Sequence, residues 1–504
     1  MRKRIISAML ACAMICGAFW LTGCGTEEDK TDDTEKNASG QPVSDADDTA
    51  DETDTAETSE ADARLSVTDG LPEDLSFDGE DFCVWVTDRY RYEIIVDDLT
   101  GDVCNDATFE RNSKIESQYD VKITSRVTEM DSDDAMDRQP TEMKTSIMSG
   151  DDEFDMAAVM VWKTGGLIMG DYLRSWNDVQ YINRDNVWWP KEANEAFTVN
   201  GRQYAAVTDL SVTTLQLAYG ILFNKQLAEN YDIEDLYTVV DEGRWTIDYL
   251  AEKAAAVYVD TNGNGTRDMD DTYGFVGDEV TGLDVWPAAF DIPLIAANDS
   301  GELEVVANSE KMVSGLEKIL NLYYNNEGSY KVYYWEKYDM FKANKSLFIA
   351  ARLITLYNEL RDMDVDFGVI PYPKYDENQT KYYGNCVDNY SVFVIPANGS
   401  DTAITGAMLE AMSCENYRTV IPAYYDIALT SKYTRDERSV DMLDLIMAGR
   451  NYDISLLHND SIPRLSYLFR DLVVNDNPDF ASAFKSMQKV FDKGLKKVVE
   501  KYAD

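Results

Sequence analysis

The chain has 504 residues, of which 93 are acidic and 46 are Lys or Arg, so its formal net charge is −47. A surface of this charge repels phosphate backbones, and we expect no nucleic-acid partner. The only histidine, His458, would have to serve any Ser-His-Asp triad, His general base or His-rich zinc site. No nucleophile motif surrounds it, so we expect a surface or capping histidine.

The N-terminal segment has the layout of an export signal. A basic start, MRKR, precedes an apolar run over residues 5–21 that is short for a membrane span. Residues 21–24, Leu-Thr-Gly-Cys, then resemble the lipobox of bacterial lipoproteins, in which the cysteine receives a diacylglyceryl group with palmitate-like chains. We expect 1–23 to be a lipoprotein signal peptide and Cys24 to be lipidated. The alternatives are an ordinary signal peptide with a chance cysteine and an uncleaved anchor.

An acidic segment follows this predicted anchor. Residues 25–64 contain 15 acidic and 3 basic side chains and almost no large apolar ones. Such a composition cannot bury enough apolar surface to fold. We therefore interpret 24–64 as the lipidated cysteine followed by a disordered linker, which holds the body at the extracellular face of the cell membrane.

The first part of the body alternates strands and helices. Residues 82–87, FCVWVT, are β-branched and aromatic and predict a buried strand. Asn105 and Asp106 are predicted to cap the helix that follows. The predicted order is strand 82–87, helix 106–118, strand 120–127, helix 140–148 and strand 154–161. This alternation is typical of a parallel α/β lobe.

Later segments add strands and two clear helices. A turn at 199–202 is predicted to open a strand pair over 203–208 and 217–225. A helix is predicted to start at Trp245-Thr246, and another over 478–501 carries apolar residues at spacings of three and four, which is typical of a core-facing side. Trp188 and Trp189 are expected to pack inside a lobe.

Four cysteines lie in the body: Cys83, Cys104, Cys386 and Cys414. They are too far apart in sequence for a metal-type spacing. An exported protein could pair them, so the sequence leaves free buried thiols and a disulfide as alternatives.

Five stretches in order resemble the extracellular solute-binding proteins of ABC importers, family 1, the maltose-binding-like group. The most telling, NGRQYAAVTDLSVTTLQLAYGILFNKQL, starts at Asn200. The others are SGDDEFDMAAVMVWKTGG (149–166), DLYTVVDEGRWTIDYL (235–250), YDMFKANKSLFIAARL (338–353) and VDFGVIPYPKYD (365–376). The chain departs from the pattern at Asn344, where the family often has Gly, and lacks the proline before Trp245.

The resemblance implies an α/β fold of the periplasmic-binding-protein-like type II, in which two α/β lobes are joined by crossing strands around a ligand cleft. Crossings are expected near 208–212, 346–352 and 385–390. Lobe 1 is then 65–208 with 352–386, and lobe 2 is 209–351 with 387–504.

The implied function is that of a lipid-anchored receptor. It would capture a carbohydrate, with an oligosaccharide favoured, and deliver it to the membrane subunits of an ABC permease. We expect a monomer and no enzymatic activity. The alternatives are a secreted glycoside hydrolase and a receptor for a non-sugar solute such as a peptide.

Residues 260–271, DTNGNGTRDMDD, match an EF-hand-type calcium loop. Oxygen ligands recur at alternate positions, and Gly265 sits where the sharp turn needs it. Position 12 is Asp instead of Glu. The predicted calcium ligands are Asp260, Asn262, Asn264, Thr266 through its carbonyl, Asp268 and Asp271. We expect a structural calcium ion; an acidic turn without metal is the alternative.

Sugar binding needs flat apolar faces and planar polar groups. Mapped through the resemblance, candidates fall at strand ends, at the crossings and after the calcium loop. The predicted ligand-binding residues are Trp162, Lys163, Asp209, Asp284, Trp286, Arg352, Asn389 and Tyr390, with Asp388 beside them. Lys163 and Arg352 would alternatively meet an anionic ligand.

Overall fold

The computed structural model describes residues 60–131, 133–360, 363–386, 388–399, 402–425 and 438–503. The predicted signal peptide 1–23, the predicted lipid site Cys24 and the linker up to residue 59 lie outside these ranges. A helix already spans Glu60–Ser66, so the last residues of the predicted linker are helical. Within the described ranges, every helix is too short or too polar to cross a bilayer.

The strands are β1 (Glu80–Thr87), β2 (Val121–Thr128), β3 (Met156–Met160), β4 (Leu173–Arg174), β5 (Thr198–Val199), β6 (Arg202–Gln203), β7 (Tyr219–Asn224), β8 (Tyr258–Val259), β9 (Thr272–Asp278), β10 (Ile295–Ala297), β11 (Leu303–Val305), β12 (Ser329–Val332), β13 (Ser346–Arg352), β14 (Phe367–Ile370), β15 (Gly384–Asn385), β16 (Ser391–Pro396) and β17 (Arg450–Asn451).

The α-helices are α1 (Glu60–Ser66), α2 (Val103–Tyr119), α3 (Arg138–Ser149), α4 (Val161–Met169), α5 (Lys191–Ala196), α6 (Thr213–Gln216), α7 (Lys225–Asn230), α8 (Leu236–Asp241), α9 (Ile247–Ala255), α10 (Trp286–Ala289), α11 (Glu310–Leu320), α12 (Glu336–Lys342), α13 (Ile354–Asn358), α14 (Thr402–Glu415), α15 (Arg438–Ala448), α16 (Ile454–Leu457), α17 (Leu468–Val474) and α18 (Phe480–Lys501).

The first lobe is built on a sheet of order β2-β1-β3-β16-β4. β1 runs parallel to β2 and β3, and consecutive residues of β1 from Val84 to Val86 are buried, because helices cover both faces. The predicted strands and helices of this lobe are confirmed. The cap of α2 was predicted wrongly: Asp102 accepts from the backbone N–H groups of Cys104 and Asn105, each at 3.1 Å.

The second lobe is built on a sheet of order β12-β9-β13-β7-β14, with β8 paired to β9. β13 lies at its centre, paired with β9 on one side and β7 on the other. The predicted crossing at 346–352 is therefore wrong: this run is apolar because it is a central strand buried on both faces.

Strand pairing also reverses part of the predicted lobe boundaries. β14 pairs with β7 in the second sheet, whereas β16 pairs with β3 in the first. The strand within 352–386 thus belongs to the second lobe and the strand that begins at Ser391 to the first. Both strands are short apolar runs, so their composition alone does not say which sheet they join.

The chain passes between the sheets over 207–218 and again over 371–390, which include the predicted crossings 208–212 and 385–390. These segments are held by bridges between Ala206 and Phe393 and between Ala218 and Cys386. The predicted strand pair is wrong in part, because 203–208 pairs with β16 through Ala206 and only β7 forms a regular strand of the second sheet.

Two aromatic predictions have clear outcomes. Trp188 and Trp189 are buried, and their indole N–H groups donate to the two carboxylate oxygens of Glu410 at 2.7 and 2.9 Å, so they pack inside the first lobe as expected. His458 is not at the surface: it is fully buried and its Nε2 lies 3.0 Å from the Tyr502 hydroxyl. Burial lowers the pKa of His458 to about 3, so the ring stays neutral.

All four body cysteines are free thiols.

A buried ion pair joins two elements of the second lobe. Lys337 on α12 and Asp278 at the end of β9 are both fully buried, with Nζ and Oδ2 2.5 Å apart. The ammonium group also lies 4.6 Å from the centre of the Tyr334 ring. The carboxylate keeps a second bond, from the Val280 N–H at 2.8 Å.

Removal of the Lys337 ammonium group should destabilise the folded protein. In the Lys337→Met variant the Asp278 carboxylate stays buried without its counter-charge, and we expect the free energy of unfolding to fall by about 3–5 kcal/mol in urea titrations. The control is Lys342→Met, which removes the cation of an exposed ion pair with Asp339 on the same helix. We expect the free energy of unfolding of this variant to change by no more than about 0.5 kcal/mol. Equal losses in the two variants would contradict this prediction.

Candidate functional site

A cavity of about 290 Å³ lies where four parts of the chain meet. Its wall includes the end of α5 with β5, the β10–β11 hairpin with residues 284–294, the crossing segment at 385–390, and residues 451–467 of the C-terminal part. We refer to it as the main cavity. Because the crossing segment forms one wall, a molecule held there contacts the joint between the lobes.

Several polar atoms in the main cavity have no protein partner. They are Asp284 Oδ1, Asn385 Oδ1 and the hydroxyl groups of Tyr390 and Tyr452, all of them buried atoms. An unmet buried hydrogen-bonding group costs about 1–3 kcal/mol, so a ligand that supplies partners gains that energy on binding. Together they form a surface that a ligand rich in hydroxyl groups would complete.

The carboxyl groups of the cavity are held by neighbours from the C-terminal part. Arg470 Nη1 lies 2.7 Å from Asp284 Oδ2, and the Tyr467 hydroxyl donates to Asp388 at 2.8 Å. Burial nevertheless raises the pKa of Asp284 well above its ordinary value, and nearby Asp388 adds to the rise against the opposing charge of Arg470. Burial also raises the pKa of Asp388.

Four of the predicted ligand-binding residues are brought together in two pairs. Asp284 and Tyr390 line the main cavity. Next to Tyr390 in sequence, Asn389 accepts a hydrogen bond from the Trp162 indole at 3.0 Å, which ties the start of α4 to the crossing segment. Lys163 lies 3.9 Å from the centre of the Trp162 ring and pairs with Asp137.

The other three lie elsewhere. Trp286 has no exposed surface and packs on the rings of Phe290 and Tyr372, so it does not reach the main cavity in this structure. Arg352 ends β13 and lies 4.9 Å from the centre of the Tyr334 ring. Asp209 is half-buried in the first crossing segment, and burial raises its pKa to about 7.

Sequence reasoning missed Asn385, Tyr452 and Tyr467 as parts of the cavity wall. Their separation from Asp284 by roughly 100 residues or more hides their proximity until the topology is known. The one available signal was the pattern of an aromatic residue three positions before Arg470 in SYLFRDL, at the start of α17.

A second cavity, of about 230 Å³, lies between the lobes near the ends of β1 and β13. Across it, the Tyr357 hydroxyl of the second lobe donates to Asp102 Oδ2 of the first at 2.8 Å. Tyr92 donates from the first lobe to Gln216 of the crossing segment. The lobes are therefore in direct contact here.

A buried carboxylate holds the joint. Glu93 is 1% exposed and accepts from the Thr213 N–H at 2.7 Å and from the Ser391 hydroxyl at 2.6 Å. Ser391 N–H donates in turn to the Thr213 hydroxyl at 2.9 Å. Burial raises the pKa of Glu93 to about 7, although these hydrogen bonds and Arg111 oppose the rise. One carboxyl group thus connects the turn after β1 to the first crossing segment at Thr213 and to the start of β16, where the second crossing segment ends.

Hydrogen bonds within the predicted calcium loop hold its two ends and its turn together. Asp260 Oδ2 accepts from the Gly265 N–H at 2.9 Å, and the Asn264 amide donates to Asp268 at 2.8 Å. Asp260 Oδ1 is buried without a partner, which suits a cation ligand. Asp271 differs, because it is fully buried and accepts from the Thr261 N–H at 3.1 Å, closing the loop. The described residues contain no cluster of three His, Cys, Asp or Glu side chains arranged to hold a metal.

The pKa of Glu93 makes stability depend on pH. Between its ordinary value of 4.5 and about 7 the folded state binds more protons than the unfolded state, so its contribution to stability falls as pH rises through this range. From pH 5 to pH 8 we expect a loss of about 2–3 kcal/mol from this group. Glu93→Gln should remove that loss in urea titrations at the two pH values.

The matched control is Glu110→Gln, an exposed residue of α2, which should keep the pH dependence of the wild-type protein. A Glu93→Gln variant with an unchanged difference between pH 5 and pH 8 would show that this carboxyl group titrates normally.

No protein-family model matches the chain, and no curated protein matches it. Solved structures do. An ABC substrate-binding protein from Listeria monocytogenes, in complex with cycloalternan, has a TM-score of 0.51 and 14% identity over 84% of this chain and 99% of that chain. A cyclo/maltodextrin-binding protein complexed with maltotetraose has a TM-score of 0.53 and 11% identity over 84% and 97%.

The GacH receptor of Streptomyces glaucescens, solved unliganded and with acarbose, has a TM-score of 0.52 and 12% identity over 82% of this chain and 98% of that chain. The first of these three neighbours is an ABC substrate-binding protein, the second a cyclo/maltodextrin-binding protein and the third a receptor, and each was solved with a bound compound. The two sheets joined by crossing segments and this similarity together show that the chain has the periplasmic-binding-protein-like fold of two α/β lobes.

Proposed function

We propose that this protein is the solute-binding receptor of an ABC importer and that its ligand is a carbohydrate. The observation that carries the proposal is the main cavity, in which Asp284, Asn385 and Tyr390 present polar atoms without protein partners. Saccharides and polyols supply hydroxyl groups that both donate and accept. The fold is one that known saccharide-binding receptors use.

Capture would proceed by closure of the lobes around the solute. The crossing segments at 207–218 and 371–390 are the parts of the chain that join the two sheets, and such segments act as hinges in binding proteins. The closed, loaded form would then dock on the membrane permease, where ATP hydrolysis takes place on another subunit. The body itself would perform no chemistry on the solute.

Ligand binding is tested by thermal unfolding with neutral oligosaccharides and polyols, such as maltotetraose and ribitol. A true ligand should raise the melting temperature, because it binds only the folded state. Tyr390→Phe should weaken its binding about 5–10-fold, the loss of one hydrogen bond of about 1 kcal/mol. Tyr333→Phe, at an exposed tyrosine outside the cavity, is the control. Shortened products in the incubation would instead indicate a glycoside hydrolase.

We also propose that the protein is held at the cell membrane by a lipid on Cys24. The sequence of residues 1–24 supports this, and a receptor tethered near its permease works at a high effective concentration. Cys24→Ala should release into the medium a protein that still binds solute but supports uptake poorly. Retention of the variant in the membrane fraction would exclude lipid anchoring through this residue.

Finally, we propose a structural calcium ion in the loop 260–271. Asp260, Asn262, Asn264 and Asp268 would supply side-chain oxygens and Thr266 its carbonyl, with Asp271 closing the loop. A chelator should lower the melting temperature, and Asp260→Ala should abolish that effect. Asp299→Ala, at an exposed turn, should leave the response to chelator intact. A melting temperature that ignores the chelator would show that the loop is only a turn.

A further inference from the structure

The wall of the main cavity is strongly acidic. Four carboxyl groups line it: Glu195, Asp284, Asp388 and Asp453. Of the described residues in this wall, none carries a positive charge. Arg470, outside the wall, pairs with Asp284 through Oδ2 and leaves Oδ1 without a partner. An anionic solute would meet repulsion here, because the wall holds four carboxyl groups and Arg470 pairs with only one of them.

Aromatic rings complete the same wall. Tyr390, Tyr452 and Tyr467 all line the cavity, and the rings of Tyr390 and Tyr452 lie 5.8 Å apart in an edge-to-face arrangement. Tyr467 already attracts a cation, since the guanidinium carbon of Arg470 lies 4.4 Å from its ring centre. Carboxylates with aromatic faces are the combination by which proteins bind organic cations.

The protein itself supplies only part of the stabilisation that the carboxyl groups of the main cavity need. Burial raises the pKa values of Asp284, Asp388 and Asp453 above those of exposed aspartates. The carboxylate of Asp453 is partly stabilised by the protein, because it caps α16 by accepting a hydrogen bond from the Ser455 N–H at 2.7 Å. Asp284 and Asp388 are the groups with most to gain from a cation within the cavity.

Uncharged polar groups mark the rest of the site. Tyr390 is 1% exposed, and its hydroxyl, like Asn385 Oδ1, has no partner. Asn385 Oδ1 can accept a hydrogen bond, and the Tyr390 hydroxyl can donate or accept one, so hydroxyl groups on a ligand would satisfy both atoms. At about 290 Å³ the cavity is at the small end for a ligand site, which favours a solute of one or two sugar rings.

We propose that the solute is an amino sugar, whose protonated amine binds the carboxylates of Asp284 and Asp388 while its hydroxyl groups bind Asn385 and Tyr390. This inference rests on the proposed carbohydrate receptor and names the class of its ligand. The predicted alternative of an anionic ligand at Lys163 and Arg352 loses support, since Lys163 pairs with Asp137 and Arg352 lies on Tyr334.

Calorimetry with matched saccharides tests the proposal. Three disaccharides share one β-linked glucose frame and differ at carbon 2: the glucosamine dimer has amines, diacetylchitobiose has acetamides and cellobiose has hydroxyls. Glucosamine and glucose form a second matched pair, and galactosamine and galactose a third. At pH 6.5 we expect the amine member of at least one set to bind tenfold or more tightly than its neutral counterparts.

Two variants locate the effect. Asp284→Asn and Asp388→Asn should each weaken the amine member tenfold or more while changing the neutral members less than threefold. Asp492→Asn, at an exposed residue of α18, is the control for a lost negative charge and should change neither. Melting temperatures without ligand verify that each variant is folded. The wild-type ranking needs no variant and tests the proposal even where a variant fails to fold.

The outcomes distinguish a failure of the amino-sugar assignment from a failure of the proposed carbohydrate receptor. Neutral members that bind as tightly as their amines would overturn the amino-sugar assignment and leave the carbohydrate receptor standing. Amine preference that survives in both Asn variants would also overturn it. If none of these saccharides, and no neutral oligosaccharide or polyol, binds at millimolar concentration, the carbohydrate receptor fails and the amino-sugar assignment fails with it.

Discussion

The two-lobe architecture depends on how Glu93 is satisfied inside the protein. Its carboxyl group lies in the turn after β1 and accepts bonds from Thr213 of the first crossing segment and from Ser391 at the start of β16. A buried carboxylate left without such partners would be strongly unfavourable. These bonds therefore hold the first crossing segment, from which the second lobe continues, against the first lobe.

The main cavity follows from the same arrangement. Once the crossing segment is fixed at Ser391, the residues just before it, from Asn385 to Tyr390, have their position set beside Asp284 and the C-terminal part. Buried polar atoms without partners also occur inside the lobes, at Ser329 and Tyr338 for example, but those of Asp284, Asn385 and Tyr390 belong to residues that line a cavity. Polar groups of this kind beside a cavity at a joint are suited to binding a small solute.

Much of the fold could be predicted from the sequence, because local patterns decide it. β1 to β3 with α2 and α3 show clear periodicity and capping residues, and the five family-like stretches appear in order. Membership of strands in one lobe or the other could not be predicted. β13, β14 and β16 are short apolar runs buried on both faces, and only pairing over long sequence distances tells a central strand from a crossing one.

The site was predictable in the same uneven way. Asp284 and Tyr390, which were predicted from their positions after the calcium loop and at the third crossing, both line the main cavity. Trp286 lies two residues after Asp284, at the start of the four-residue helix α10, and its side chain is buried in the core. Side chains two positions apart on a helical turn point in different directions, so the two residues do not share a surface. Tyr467 comes from a segment whose only local signal is the spacing of this tyrosine from Arg470. His458 carries no partner motif and proves to be a buried neutral ring beside Tyr502.

The contact between Tyr357 and Asp102 has a kinetic consequence. Asp102 uses Oδ1 to cap α2 and Oδ2 to accept the Tyr357 hydroxyl from the opposite lobe. When the lobes separate, only the second bond has to break, and the helix keeps its cap. The proposed opening of the lobes can therefore break and remake this bond without unfolding α2, and in the proposed receptor its strength would bear on the opening rate and hence on the residence time of the solute.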